Sequence, residues 1–148
     1  MKGKSLVIIG LIVVLLAGVF LPVLFGQTAL EIRAASSTAI IGWQRMSTPD
    51  DRAVWVSSAS ALTATDIARV EPRQQADGSP TVVFVFTADG ARKMAALSAA
   101  QADKPIALLV DGKLVWAPTV RATIEKEAVL SGVTAEVIQR VLATFKGQ

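Results

Sequence analysis

The 148-residue sequence contains no cysteine, histidine, tyrosine or asparagine. Without cysteine there is no disulfide, no thiolate nucleophile and no cysteine-linked lipid anchor. Without histidine the chain cannot form a Ser-His-Asp triad, and it lacks the commonest side-chain metal ligand. Without asparagine it carries no site for N-linked glycosylation. Several classes of enzyme and metalloprotein are therefore excluded by composition.

The charge of the chain is small and evenly distributed. There are 15 Lys and Arg against 12 Asp and Glu, a formal net charge of +3. Two of the positive charges are Lys2 and Lys4, so the rest of the chain carries about +1. A nucleic-acid-binding domain concentrates basic residues on one surface. We expect no nucleic-acid partner.

One long apolar run lies near the N-terminus. Residues 5–25 contain no charged side chain, and as a helix this run is about 30 Å long, the thickness of the hydrocarbon core of a bilayer. Lys2 and Lys4 precede it, which by the positive-inside rule places the N-terminus in the cytoplasm. The sequence predicts a cytoplasmic stub and transmembrane anchor over residues 1–25, a linker over 26–29, and one domain over 30–148, extracytoplasmic or periplasmic and tethered to the cytoplasmic (inner) membrane.

A cleaved signal peptide is the alternative interpretation of this run. Signal peptides have the same basic start but an apolar stretch of only about 7–15 residues. The stretch here is longer, and a cut after Ala29 would place Gln27 where a small residue is preferred. The pattern favours an uncleaved single span.

The remaining residues predict an α+β domain, an antiparallel sheet with two main helices packed on it. Alternating apolar residues and turn signals predict strands at 30–33, 54–56, 68–74, 80–87, 106–110, 113–117 and 122–131. A helical turn is predicted at 62–67 and a helix at 134–145; between them a helix is predicted that Thr87 can cap, whose body covers 91–102 and which Pro105 ends. Residues 34–52 are rich in Ser and Thr and are predicted to be a loop.

The clearest local signal is a hairpin in which Asp111-Gly112 joins two apolar strands, as a type I′ turn requires. Uninterrupted pairing puts Leu109, Leu114 and Trp116 on one face, while the other face is apolar too. An exposed sheet face should instead be polar. Either the 34–52 loop with Trp43 covers the second face, or Leu109, Leu114 and Trp116 form an open surface for an extended polypeptide or a partner subunit.

No residue pattern indicates catalysis or metal binding. Asp50-Asp51 lacks further oxygen ligands nearby in sequence, and turn chemistry explains Asp111. The serines at 57, 58 and 60 would need a lysine partner, and nothing around them resembles a nucleophile elbow. We therefore expect no catalytic residue, no metal, no cofactor and no small-molecule substrate, and we expect that the protein is not an enzyme.

Three ordered segments carry a resemblance to a known family. They are FTADGARKM (86–94), KPIALLVDGKLVWAP (104–118) and AVLSGVTAEVIQRV (128–141), with LTATDIARV (62–70) ahead of them. Together they resemble the head part of the first periplasmic domain of SecD, the protein-export accessory factor, over about residues 30–145. The sequence departs from the family at Glu125-Lys126, where a glycine pair is common, and at Trp116, where a small residue is common.

The resemblance implies an extracytoplasmic module that contacts emerging polypeptides. In the family the module belongs to a larger membrane protein whose further spans use the proton gradient, so motor activity is not implied for a chain with one predicted span. We expect a membrane-anchored interaction module, linked to protein export or envelope assembly. The alternative is a structural subunit of a larger membrane complex that binds no client.

Overall fold

The computed structural model describes residues 30–146, which form two antiparallel sheets and two α-helices. The strands are β1 (Leu30–Ser36), β2 (Gln44–Ser47), β3 (Ala53–Val56), β4 (Leu62–Thr63), β5 (Ile67–Gln74), β6 (Pro80–Phe86), β7 (Ile106–Val110), β8 (Lys113–Trp116) and β9 (Glu127–Leu130). The helices are α1 (Ala88–Ala100) and α2 (Ala135–Lys146), and a 3-10 turn spans Ala64–Asp66. Within this range no helix is long and apolar enough to cross a membrane. The predicted span at 5–25 lies outside the described residues.

The α+β class is confirmed, but the strands divide between two sheets rather than forming one. The larger sheet has the order β2-β3-β1-β7-β8, and β4 pairs with the first half of β1. The smaller sheet has the order β5-β6-β9. Each junction between neighbouring strands of both sheets is antiparallel. The strand predicted at 122–131 is shorter, and residues 117–126 instead connect the two sheets as an irregular segment.

The main hydrophobic core fills the space between the two sheets and the two helices. Alternate residues of β1 and β7 enter it from the larger sheet, and alternate residues of β6 from the smaller one. Helix α2 adds Val137, Ile138 and Val141 from one face, as its 3.6-residue apolar period predicts. Helix α1 adds Met94, which is almost completely buried.

A second, smaller core lies on the opposite face of the larger sheet. Ala107 and Leu109 of β7 pack there against Val54 and Val56 of β3, and Met46 of β2 covers them. The segment predicted as a loop, 34–52, therefore includes a strand, β2, whose four residues contain a single apolar side chain. Pairing with β3, rather than hydrophobic alternation, holds β2 in place. The second face of the sheet is therefore covered by the 34–52 segment, as one of the two alternatives expected. The side chain that packs on it is Met46, however, and not Trp43.

Helix α1 begins where the sequence predicts. Thr87 is the N-cap, and its Oγ1 accepts a hydrogen bond from Gly90 N at 3.0 Å. The first turn lies so close to the 3-10 turn that a Cβ at Gly90 would stand 2.0 Å from the backbone oxygen of Asp66. Only glycine fits this contact.

Candidate functional site: an apolar cleft between two sheet edges

A β-bulge in the β7–β8 hairpin determines where Trp116 lies. Leu109 pairs with Leu114, but the register then shifts and Leu108 pairs with Trp116. Val115 is the extra residue. The bulge moves Trp116 to the side of the sheet that faces the main core, against which its ring packs half-buried. Neither glycine nor proline occupies position 115, so the sequence carried no bulge signal.

The predicted surface of Leu109, Leu114 and Trp116 does not exist as one open face. Leu109 is 1% exposed and belongs to the second core, and Leu114 packs half-buried against that same core. Trp116 points to the other side of the sheet because of the bulge. The placement of these three residues on one free face is therefore wrong. That a partner contacts Leu114 or Trp116 stays a prediction.

Trp116 instead borders an apolar cleft of about 360 Å³ between the two sheets. Met94, Phe84 and Leu108 from the main core line its inner wall. Residues 118–124 form one side, and β9 forms the other. Of the lining side chains only Arg121 and Glu127 are charged. The cleft therefore suits an apolar side chain and provides no constellation for covalent chemistry.

The cleft lies between two edge strands. Within the described part of the chain, β8 pairs only with β7, and β9 pairs only with β6. An edge strand presents unpaired N–H and C=O groups, to which an extended segment can add as a further strand. Val129 in the middle of β9 is 49% exposed, one of the few large apolar side chains that are exposed among residues 30–146. Backbone pairing groups and an apolar cavity are thus adjacent.

The side of the cleft formed by residues 118–124 is fastened to the end of α1. Ile124 N donates to Ser98 Oγ at 2.9 Å, and Ser98 Oγ donates to Ala95 O. Asp103 N donates to Val120 O, and Val120 N donates to Lys104 O, each at 2.9 Å. This segment is irregular, yet its backbone is held at both of these points.

A second cavity of about 260 Å³ also borders Trp116. The β2–β3 turn, including Thr48 and Arg52, forms one wall, and residues 132–134 before α2 form another. Trp116 lines both cavities.

The acidic residues considered in the sequence have structural roles. Arg52 Nε donates to Asp50 Oδ2 at 2.7 Å. The pKa of the Asp50 carboxyl is lowered, first by the hydroxyl of Thr48 and second by the guanidinium of Arg52. Asp111 and Gly112 have φ of 52° and 76°, which confirms the type I′ turn. Between residues 30 and 146 no group of three or more carboxylates could hold a metal ion.

The serines at 57, 58 and 60 make no dyad in this structure. Ser60 Oγ donates to Glu31 Oε1 at 2.6 Å, and Ser57 Oγ accepts from Ala59 N. No lysine hydrogen-bonds to any of the three among the residues that the structure describes. Ser60 is thus tied to a strand carboxylate rather than to a base.

Comparison with known proteins agrees with this geometry. Residues 42–145 match the family model described as the SecDF P1 head subdomain. Protein translocase subunit SecD of Rhodobacter capsulatus is 35% identical over 63 residues, 43% of this chain and 11% of the relative. The same subunit of Acidaminococcus fermentans is 38% identical over 61 residues, 41% of this chain and 15% of the relative. The chain thus matches only a small part of these relatives' length.

A solved structure of SecDF, described as a membrane component that enhances protein export, has the same fold. It superposes with a TM-score of 0.61 at 20% identity and covers 81% of this chain and 62% of that one. Because the family model spans well over half of the sequence, the chain belongs to the SecDF P1 head subdomain family. The resemblance inferred from the sequence segments is confirmed.

Proposed function

We propose that this domain is an interaction module that contacts extended polypeptides during protein export or envelope assembly, held on the extracytoplasmic side of the cytoplasmic membrane by a single N-terminal anchor. The family membership supports a link to export, as does the similarity to translocase subunits and to a membrane component that enhances protein export. The uncharged run at 5–25 and the lysines before it support the anchor and its orientation.

The observation that carries the proposal is the apolar cleft bordered by β8 and β9, each of which is an edge strand among residues 30–146. An extended client pairs its backbone with β9 and places every second side chain toward the cleft, where Trp116 lies. Backbone pairing is independent of sequence, and the cavity selects only for apolar character. A module built in this way accepts many different unfolded segments.

The proposal includes no chemical step. Contact is made by shape, apolar surface and backbone hydrogen bonds, and neither a cofactor nor a metal takes part. Binding at one cavity of about 360 Å³ is weak and reversible. Weak binding suits a module that must release a moving polypeptide.

Site-specific photocrosslinking in cells tests the proposal. A crosslinker at Val129, in the middle of β9, should capture many exported polypeptides while they are unfolded. The matched control is Arg69 in β5, the outer edge of the same small sheet on the side away from β9. We expect few adducts from position 69, because that edge does not border the cleft.

Two outcomes would overturn the proposal. Equal capture from positions 69 and 129 would show that the cleft has no special role. A single stoichiometric adduct, independent of ongoing export, would instead support the alternative function, a structural subunit of a larger membrane complex without clients.

A further inference from the structure

The loop between β1 and β2 holds an apolar side chain out in solvent. Trp43 N donates to Ile40 O at 3.1 Å and Gly42 has a φ of 85°, the pattern of a type II turn. Ile41, at the first corner of this turn, is fully exposed, and Ile40 is 39% exposed. Exposure of Ile41 is thus fixed by a hydrogen-bonded turn.

The base of the same loop is also ordered. Thr38 N donates to Ser36 Oγ at 3.1 Å, and the two hydroxyl groups are within hydrogen-bond distance of each other. Ser36 belongs to β1 and is itself buried. A loop that is held at its base and its apex loses little conformational entropy when it binds.

An uncompensated positive charge lies beside this apex. Arg45 of β2 pairs across the ladder with Trp55 of β3, and Trp43 falls on the same side of the hairpin by the two-residue period. Arg45 is exposed and forms no ion pair with any residue from 30 to 146. The sequence from 32 to 49 contains no acidic residue.

We propose that this loop rests on the anionic surface of the bilayer to which the chain is anchored, with Ile41 inserted at the level of the headgroups. An aliphatic apex, flanking tryptophans and a basic residue form the composition that partitions into a membrane interface. The free charge of Arg45 complements anionic lipid and favours this surface over a neutral apolar groove.

The inference rests on the proposed anchor, and the dimensions permit it. The loop begins at the far end of β1, about 20 Å from Leu30 at the rise of a β-strand. A linker of four residues reaches about 13 Å. The loop that follows β1 can therefore reach the membrane surface when the strand lies along the plane of the bilayer. One inserted side chain binds weakly, and the anchor compensates by raising the local concentration of the loop at the surface.

Because the chain has no cysteine, one introduced thiol reports on one position. The full-length Ile41→Cys variant, labelled with an environment-sensitive fluorophore, is reconstituted in vesicles with and without anionic lipid. We expect blue-shifted emission, and quenching by brominated acyl chains, only with anionic lipid. The matched control is Asp77→Cys, at the exposed turn between β5 and β6. Adding Arg45→Gln to the Ile41→Cys variant should weaken the contact about fivefold, the value of one basic charge at such a surface.

Emission from position 41 that equals emission from position 77 in anionic vesicles would overturn the inference. Shielding of position 41 only in native membranes that contain other proteins would also overturn it and assign the loop to a protein partner. Flotation of the same samples tests the anchor separately. Full chain that fails to float contradicts the anchor, whereas full chain that floats with an aqueous label contradicts only the loop contact.

Discussion

The first turn of α1 and the cleft beside Trp116 differ in how tightly they are packed. The first is a contact between two backbones, and the second is an open cavity. At the helix, Gly90 lets two backbones approach until no side chain fits, and Asp66 is enclosed with its hydrogen bonds made. At the cleft, Trp116 and Val129 leave apolar surface beside the outer edges of β8 and β9. Under the proposed function, this open cleft is the surface that binds the client.

Gly90→Ala, at the tightly packed start of α1, should produce the largest effect on stability. Alanine is the better helix former, but its Cβ would meet the backbone oxygen of Asp66 at 2.0 Å. We expect a loss of about 3 kcal/mol or more in the free energy of unfolding, measured by chemical denaturation.

The control for this variant is Ala96→Gly, at an exposed position of the same helix. It should lose only about 1 kcal/mol through helix propensity. If Gly90→Ala were as stable as the natural chain, the close contact between α1 and the 3-10 turn would be wrong.

Asp66→Asn should produce the next largest effect. Burial raises the pKa of this carboxyl, but the hydrogen bond from Lys93 Nζ, the backbone N–H of Thr63 and the charge of Lys93 outweigh burial and lower it below the ordinary 3.8. A lowered pKa in the folded state adds stability at neutral pH that is lost as pH falls below about 4. We expect the variant to lose about 2 kcal/mol at pH 7 and to show a smaller decrease in stability between pH 4 and 2.

Asp111→Asn is the matched control for Asp66→Asn, because Asn-Gly suits the same type I′ turn. Its stability at pH 7 should stay close to that of the natural chain. A pH profile of Asp66→Asn that overlays the natural one would show that Asp66 does not carry this pH dependence.

On the open side, Trp116→Ala should affect binding more than folding. The ring is half-buried, so we expect a loss of about 1 kcal/mol in stability, together with about tenfold weaker capture of unfolded polypeptide. Leu109→Ala should affect folding more than binding, because Leu109 is enclosed in the second core. We expect its free energy of unfolding to fall by about 3 kcal/mol, while capture of polypeptide by the folded fraction stays unchanged. If both variants weakened capture equally, Trp116 could not be distinguished from a core residue as a contact for the polypeptide.

Ser98→Ala should have the smallest effect. It removes the acceptor of the Ile124 N–H, a hydrogen bond worth about 1 kcal/mol. Hydrogen exchange should accelerate at residue 124 and stay unchanged at the Gly90 N–H, whose acceptor is Thr87. Unchanged exchange at both positions would show that Ser98 does not hold this side of the cleft.

The sequence was informative wherever a local rule fixes the backbone. Thr87 as a cap, Asp111-Gly112 as a turn and the apolar face of α2 each follow from a short pattern. The position of Trp116 does not follow from a short pattern. The one extra residue in β8 moves the side chains after it to the opposite face of the sheet. The division into two sheets depends on long-range pairing that alternation does not encode, and so does the cleft that lies between them.

The three tryptophans allow the most direct test of the central claim. Trp116 lines the cleft, while Trp43 and Trp55 belong to the β2–β3 region. In full-length chain held in a zwitterionic detergent, addition of an unfolded apolar polypeptide should shift the NMR signal of the Trp116 indole N–H and leave the other two in place. Shifts at Trp43 or Trp55 with an unmoved Trp116 signal would contradict the cleft as the binding site.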